Sequence, residues 1–257
     1  MQTMLLEEMT WLQIEELLES GTRTVIVPVG AVEQHGKHLP LITDTLIAKA
    51  LAHEVARLLG NCVVGPVVSI GCSAHHMAFP GTVSLRSETL QEIVKDYCRS
   101  LARHGFETII IIPSHGGDFP PVQAACEILE EELAGVKLIG YTDQDAFIDL
   151  FSRLAGEFGL VPQVAGSHAG DVETSLIMAI APQLVDAGNM EPGYTGPDEE
   201  IDARINSEGM KGLAPNGVLG DPRTASPEHG QVYLQRFAAE IVKYVRDKPL
   251  SDGKHRI

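Results

Sequence analysis

Aromatic residues are scarce in this sequence. Phe, Trp and Tyr make up 5% of the 257 residues, and Trp11 is the only tryptophan. Basic residues are also few, with 19 Lys and Arg against 35 Asp and Glu, so the formal net charge is −16 at pH 7. Because such an acidic surface repels phosphate backbones and anionic lipids, we expect neither a nucleic-acid partner nor a membrane partner.

Cysteines and long apolar runs are lacking as well. The four cysteines, at positions 62, 72, 98 and 126, form no CxxC pair, which is typical of reduced core residues in a cytoplasmic protein. No apolar run reaches the ~18 residues that a membrane-spanning helix needs. The segment MQTMLLEEMTWLQIEELL lacks the basic region of a signal peptide. With 44% hydrophobic residues, the chain can form one globular domain over residues 1–257.

Strand-like and helix-like segments alternate along the chain. The sequence predicts buried strands at residues 24–29, 62–68, 108–112 and 136–141. It predicts a first helix after the capping box of Thr10 and Gln13, and further helices at residues 46–59, 87–104, 122–133, 172–180 and 231–245. This alternation favours a three-layer α/β/α fold with a mostly parallel sheet.

Two segments differ from the rest of the chain in composition and lack its strand-like or helix-like periodicity. Residues 189–229 are rich in Gly, Pro, Asn and Asp and show little periodicity, so they predict a long ordered loop. Loops of this length are commonly functional, and we expect this one to pack against a neighbouring subunit. The polar residues 247–257 are expected to form a frayed tail.

Histidines and carboxylates follow the predicted strands in three clusters. Residues 30–44 (GAVEQHGKHLPLITD) follow the first strand, residues 113–118 (PSHGGD) follow the strand at 108–112, and residues 167–175 (SHAGDVETS) come later. Ligands of open α/β sheets bind at the carboxyl ends of the strands. A Glu, His and Asp donor set suits Zn²⁺, Mn²⁺ or Fe²⁺. A lone histidine in such a place is more often a structural residue, but three clusters together favour a metal site.

The sequence resembles the creatininase family. The runs that carry the resemblance are VPVGAVEQHGKHLPLITD, HHMAFPGTVSL, SHGG, HAGDVETS and GVLGDPRTASPEHG, in the family's order. The resemblance implies a creatininase-like α/β/α fold, a homohexamer and two divalent ions per subunit. Glu33 and His115 would hold one ion, His35 the other, and Asp44 would bridge them. Creatininase has a Glu ligand where this chain has Gly117, and the resemblance implies Glu173 as its replacement.

The resemblance also implies how the site would act. Two ions about 3.5–4 Å apart supply an activated water and polarise a carbonyl. His168 matches the family's catalytic histidine, placed to protonate a leaving nitrogen, and Glu173 is expected to take part beside it. Ser73, His76, Thr82 and Asp118 are expected to contact the substrate, with Asp118 alternatively orienting a ligand. His38 is expected to support the metal loop, and no role is assigned to His75.

The predicted function is hydrolysis of a C–N bond in a small polar amide, lactam or N-acyl compound. Creatinine itself is expected to be a poor substrate, because creatininases surround it with tryptophans that this chain lacks. The alternatives within the family are hydrolysis of a keto-cyclitol and a peptidase role. A third alternative is a scaffold without catalytic activity whose ions only hold loops together. An open coordination position would distinguish an enzyme from such a scaffold.

Overall fold

A parallel sheet lies at the centre of the fold. The computed structural model describes residues 4–197 and 200–248. The strands in this part of the chain are β1 (Thr24–Val29), β2 (Val63–Val64), β3 (Thr108–Pro113) and β4 (Lys137–Gly140). Their order is β2-β1-β3-β4, and every neighbouring pair is parallel. The predicted parallel α/β/α architecture is therefore confirmed.

Helices cover both faces of this sheet. In the described residues they are α1 (Trp11–Glu19), α2 (Thr43–Leu59), α3 (Ser87–Arg103), α4 (Phe119–Glu132), α5 (Gln144–Gly156), α6 (Pro162–Ala165), α7 (Asp171–Ile180), α8 (Ile201–Leu213) and α9 (Pro227–Asp247). The capping box predicted from Thr10 and Gln13 is present at the start of α1. None of the helices described is long and apolar enough to cross a membrane.

The two faces of the sheet bury two separate hydrophobic clusters. Side chains of a strand point alternately to opposite faces. Ile109 and Ile111 of β3 therefore pack with residues of α3 and α4, whereas Ile110 and Ile112 pack with residues of α2, α5, α7 and α9. All four isoleucines are inaccessible to solvent. This continuous burial explains why β3 reads as an unbroken apolar run.

The structure corrects the prediction for residues 189–229. This segment is not a continuous loop, because it contains the 13-residue helix α8. Gly209 interrupts that helix with φ 71° and ψ 165°, a left-handed conformation that glycine adopts readily. α8 packs on a short 3₁₀ turn, Ala74–His76.

Smaller differences concern the ends of elements. The strand predicted at 62–68 pairs regularly only at Val63 and Val64, and Val68 meets Val29 through an isolated bridge. The last helix begins four residues earlier than predicted, at Pro227, where the Ser226 side chain accepts a hydrogen bond from the His229 N–H. Of the predicted frayed tail, residues 249–257 lie outside the described residues.

Candidate metal centre

The candidate site lies at the carboxyl ends of β1 and β3, which are adjacent in the sheet. Glu33 follows β1 and His115 follows β3, and their carboxylate Oε2 and ring Nε2 are 3.3 Å apart. The backbone is closely packed here, because a side chain at Gly30 would overlap the backbone of Thr45 at the start of α2. The sheet topology thus brings together two residues that are 82 positions apart in the sequence.

Three further predicted ligands surround this pair. Nε2 of His35 lies 3.3 Å from Oδ1 of Asp44 and 3.7 Å from Oε2 of Glu173. The other oxygen of Asp44, Oδ2, lies 3.6 Å from Nδ1 of His115. Asp44 is in the first turn of α2 and Glu173 in the first turn of α7, where the helix dipole favours a carboxylate. All five side chains are buried.

Several polar atoms of this cluster lack a hydrogen-bond partner. Among the described residues, these buried atoms include both carboxylate oxygens of Glu33, Nε2 of His35 and Oδ2 of Asp44. An unpaired buried polar atom costs about 1–3 kcal/mol, and more when it is charged. Subsets of these ligand atoms lie within 4.8 Å of one another. Converging unpaired carboxylate and imidazole donors fit a divalent cation of the Zn²⁺, Mn²⁺ or Fe²⁺ type.

The electrostatics of the cluster agree with this fit. Burial raises the pKa of Glu33 and of Glu173 to about 7. Burial lowers the pKa of His35 and His115, but the surrounding carboxylates outweigh it and raise these values to about 10 and about 9. In the absence of cations, His35 and His115 are therefore protonated at neutral pH, and Glu33 and Glu173 are partly protonated. Divalent ions at the same place would displace those protons, because ligand histidines must be neutral.

His168, the predicted catalytic residue, lies beside the cluster. Its ring centroid is 4.2 Å from that of His35, and its Nδ1 is 3.6 Å from Oε1 of Glu33. Its Nε2 lies 2.8 Å from the carbonyl oxygen of Gln34, which can only accept, so Nε2 is the protonated nitrogen. Burial, His35 and His76 hold the pKa of His168 well below its usual range. The resting ring is therefore neutral.

The loop before α7 holds Glu173 in place. Oε2 of Glu173 accepts a hydrogen bond of 2.6 Å from the N–H of Ala169. Ala169 has φ 53°, the left-handed region that non-glycine residues rarely adopt. Next to Glu173, the Thr174 hydroxyl lies 2.9 Å from Nε2 of His38, so His38 joins the metal loop to α7. His38 occupies the supporting position predicted for it.

A cleft of about 250 Å³ opens from this cluster to the surface. Its inner wall carries the polar side chains of Glu33, His75, His76, His115 and His168. The apolar residues of its lining, here called the outer wall, are Ile148, Ile201, Ile205, Met210 and Leu219. Three of these apolar residues belong to α8, the helix that the sequence did not predict. A short apolar spacing, Ile201 to Ile205, was the only signal for it.

Comparison with known proteins identifies the family. The sequence model of the creatininase family, described as creatinine amidohydrolase, matches residues 7–245. The chain belongs to the creatininase family. A mycofactocin precursor peptide peptidase of Mycolicibacterium smegmatis is 36% identical over 239 residues, which cover 90% of this chain and 86% of that protein. The creatinine amidohydrolase of Pseudomonas putida is 29% identical, with 94% of this chain and 95% of that protein covered.

Solved creatininase structures share the fold. The manganese form of creatininase superposes with a TM-score of 0.76 at 27% identity, covering 96% of this chain and 98% of that one. A glutamate-to-glutamine variant of creatininase in a zinc–zinc form gives a TM-score of 0.75 at 28% identity, with the same coverage. The chain is thus a hydrolase of the creatininase family, and its site contains the donor groups of a metal centre.

The predicted substrate-contacting residues are distributed unevenly in this creatininase fold. His76 lines the cleft, whereas Ser73, Thr82 and Asp118 lie behind its wall. Ser73 is buried beside Glu33, where its hydroxyl slightly opposes the rise that burial causes in the pKa of the Glu33 carboxyl. Thr82 accepts a hydrogen bond of 3.2 Å from the N–H of Gln34. Asp118 is inaccessible and accepts a hydrogen bond of 2.7 Å from the N–H of Cys72. The structure therefore gives these three residues supporting contacts.

The departure from creatininase at Gly117 has a steric reason. A Cβ at this position would overlap the carbonyl oxygen of Cys72 and lie 2.7 Å from Nε2 of His115. No carboxylate ligand can extend from this point while the loop keeps its position. Glu173 is placed on the other side of the cluster, beside His35. His75, to which the sequence assigned no role, lines the cleft next to His115.

Proposed function

We propose that this creatininase-family hydrolase cleaves the C–N bond of a peptide-like amide that carries an aliphatic side chain next to the scissile carbonyl. The observation that carries this proposal is the composition of the cleft. Its polar lining includes two candidate metal ligands, Glu33 and His115, together with His168, and its apolar lining includes Ile201, Ile205 and Met210. An aliphatic group of the substrate would bury apolar area there, at about 25 cal/mol per Å².

The small volume of the cleft indicates that it contacts only a short part of the substrate. Its volume of about 250 Å³ is below the ~300 Å³ at which pockets for drug-sized ligands begin. Only the groups that flank the scissile bond would fit inside, and the rest of a peptide would extend into solvent. The relative from Mycolicibacterium smegmatis, which is 36% identical, is named as a peptidase of a precursor peptide. This similarity favours a peptide-like substrate.

In the proposed reaction, Glu33, His35, Asp44, His115 and Glu173 hold two divalent ions per subunit. When bound, the ions polarise the substrate carbonyl and activate a water molecule. His168 keeps its Nε2 proton on the Gln34 carbonyl, so its Nδ1 is free to accept the proton that the attacking water loses. It then transfers that proton to the leaving nitrogen, because an amine leaves readily only when protonated. Glu33, 3.6 Å from Nδ1, stabilises the cationic ring in between.

A small polar amide is the second candidate, and the polar inner wall favours it. His75, His76 and His115 offer hydrogen-bonding groups to a compact substrate near the ligands. Hydrolysis of creatinine, or of a keto-cyclitol as another carbonyl compound, belongs to the same group of polar candidates. The chain lacks any tryptophan in the cleft, since Trp11 lies in α1. Creatinine is therefore expected to be turned over slowly.

The test is a rate comparison on the metal-loaded protein. Short peptides with Val, Leu or Ile at one end, the same peptides with Ser or Asp there, simple N-acyl amides and creatinine would be assayed at equal concentration. We expect the aliphatic peptides to react fastest, and Ile205→Ser to reduce their kcat/KM without changing the rate on small amides. Ile128→Ser, at an exposed position of α4, is the matched control. Faster cleavage of creatinine than of every peptide would reject the proposal.

A further inference from the structure

His75 lines the cleft but takes no part in the proposed cleavage of a peptide-like amide. It lies in the 3₁₀ turn Ala74–His76, is half-buried and lines the cleft. The turn is closed by backbone hydrogen bonds from the N–H of His76 to the Ser73 carbonyl and from the N–H of Met77 to the Ala74 carbonyl. α8 packs on the outer side of the same turn. The backbone of His75 is thus held firmly next to the metal ligands.

The ring of His75 is aligned with that of His115. The two ring planes differ by only 7°, and their centroids are 5.7 Å apart. One ring nitrogen of each histidine and one carboxylate oxygen of Glu33 all lie within 4.8 Å of one another. Donor atoms around one Zn²⁺ lie about 2.0–2.2 Å from the ion. The three atoms are therefore close to the separation that a shared ion requires.

The neighbouring histidine, His76, is arranged differently. Its Nδ1 accepts a hydrogen bond of 2.7 Å from the side-chain amide of Gln34, and its Nε2 faces Oε1 of Glu33 at 3.5 Å. By contrast, neither ring nitrogen of His75 makes a hydrogen bond anywhere in residues 4–197 and 200–248. Glu33, the residue between them, is inaccessible to solvent and has both carboxylate oxygens unpaired.

We propose that His75 is an additional protein ligand of the ion that Glu33 and His115 hold. This inference rests on the metal centre of the proposed function and extends it by one ligand. With His75, this ion is bound by two imidazoles, the carboxylate of Glu33 and the shared carboxylate of Asp44. Imidazole ligands favour Zn²⁺ and Fe²⁺, whereas carboxylate and water ligands suit Mn²⁺. The site should therefore select Zn²⁺ over Mn²⁺ more strongly because of His75.

Coordination of the ion by His75 would affect substrate binding. His75 approaches the ion from the cleft, which is the side on which a substrate enters. A substrate carbonyl that reaches this ion must either share it with the ring or displace the ring. A residue that only contacts substrate would affect KM and leave metal binding unchanged. Metal binding in the absence of substrate is thus the property that separates the two roles.

The experiment is a metal titration of the full chain after removal of metal by a chelator. Zn²⁺ and Mn²⁺ would be titrated separately into the wild type, His75→Ala and His75→Gln, and binding would be followed by calorimetry without substrate. His53→Ala, at an exposed position of α2, is the matched control for loss of a histidine. We expect His75→Ala to weaken one of the two Zn²⁺ sites at least about tenfold, and the Mn²⁺ sites much less.

A second measurement and a second variant make the test decisive. X-ray absorption on the zinc-loaded protein should show one imidazole fewer per subunit in His75→Gln than in the wild type. If His75→Ala does not fold, His75→Gln replaces it in the titration. Unchanged Zn²⁺ affinity and imidazole number in a folded variant would overturn the assignment of His75 alone. Failure of the wild type itself to bind Zn²⁺ or Mn²⁺ would instead reject the metal centre of the proposed function.

Discussion

The side-chain amide of Gln34 donates a hydrogen bond of 2.7 Å to Nδ1 of His76. The orientation of that amide is fixed, because its oxygen accepts a hydrogen bond of 3.0 Å from the N–H of Gly36. Nδ1 of His76 must therefore be unprotonated, and its Nε2 carries the proton that faces Glu33. The same amide nitrogen lies 3.0 Å from Nε2 of His168, which donates its proton to the Gln34 carbonyl and so accepts none from the amide. Gln34 thus contacts both histidines that border Glu33.

Gln34→Leu should weaken both stability and catalysis. The substitution leaves Nδ1 of His76 without a donor inside a buried cluster, which costs about 1–3 kcal/mol. We expect a loss of this size in the free energy of unfolding, measured by denaturant titration, together with a lower kcat. Gln123→Leu, at an exposed position of α4, should leave both unchanged. An unaltered kcat in Gln34→Leu would mean that the tautomer of His76 does not matter for the reaction.

Asp44→Ala should remove most of the bound metal. The two oxygens of Asp44 face different histidines, Oδ1 towards His35 and Oδ2 towards His115, which is the arrangement of a bridging carboxylate. Elemental analysis after dialysis should show loss of both ions, whereas Asp96→Ala, at an exposed position of α3, should retain them. Full occupancy in Asp44→Ala would contradict the bridge.

His168→Asn separates proton transfer from metal binding. Because Nε2 of His168 is bound to the Gln34 carbonyl and Nδ1 faces Glu33, we expect the variant to keep its ions and lose about 10²–10⁴-fold in kcat. Both quantities would be measured on the same sample. His168 also lies within ligand distance of His35 and Glu173. Loss of an ion in the variant would therefore make His168 a ligand, and an unchanged kcat would exclude it as the proton donor.

Metal removal should reverse the pH dependence of stability. In the ion-free protein, Glu33 and Glu173 have pKa values raised from 4.5 to about 7, and those of His115 and His35 are raised from 6.5 to about 9 and about 10. Above about pH 7 the histidines whose pKa values are lowered by burial are neutral in both states, so the folded state binds more protons than the unfolded state. Stability therefore falls as pH rises from about 7 to about 10. With ions bound, protons compete with the metal, so stability should rise between pH 6 and pH 8.

Thermal unfolding at pH 6, 8 and 9, with a chelator or with saturating Zn²⁺, tests this prediction. Binding to the folded state alone adds about 2.7 kcal/mol of stability at a free metal concentration of 100 times Kd. We expect the melting temperatures of the two forms to differ least at pH 6 and most at pH 8 or above. A chelator effect that is the same at all three pH values would show that the cluster does not exchange protons for metal.

We propose that the chain assembles as a homohexamer. Trp11 and Leu12 are adjacent at the start of α1 and are 76% and 48% exposed in the single chain, and Trp11 is the most exposed of the large hydrophobic residues in the described part of the chain. Light scattering at micromolar concentration should give six times the chain mass of 27.7 kDa. The fluorescence of Trp11, the only tryptophan, should also shift to shorter wavelength on assembly if α1 lies in an interface. A monomer at this concentration would contradict the prediction.

The sequence predicts the parallel sheet and the residues at its carboxyl edge better than the residues that line the cleft. Buried parallel strands such as β1 and β3 require unbroken β-branched runs, and the residues that follow them must meet at one edge of the sheet. The clusters that contain Glu33 and His115 could be placed together on that ground, and the family resemblance named these two residues as ligands of one ion. The family resemblance then supplied His35, Asp44 and Glu173, whose distances to one another depend on loops and helix starts rather than on periodicity.

The outer wall of the cleft could not be predicted in the same way. α8 contains Gly209 and Gly212, polar residues separate its apolar positions, and its apolar side faces a cleft rather than the main core. A pattern search therefore finds no stripe of ordinary width there. Likewise, His75 and His115 are 40 positions apart, and no spacing in the sequence indicates that their rings are parallel.

The close packing at Gly117 and Gly71 couples distant positions of the sequence to one another. A side chain at 117 would overlap the Cys72 carbonyl, and one at 71 would overlap the carboxylate of Asp118. A single substitution that restores a carboxylate at 117 would therefore disrupt the loop before it could bind an ion. A descendant of this chain could exchange Glu173 for a ligand at 117 only after changes that move residues 71–73. A carboxylate ligand at position 117 and the present position of residues 71–73 therefore exclude each other.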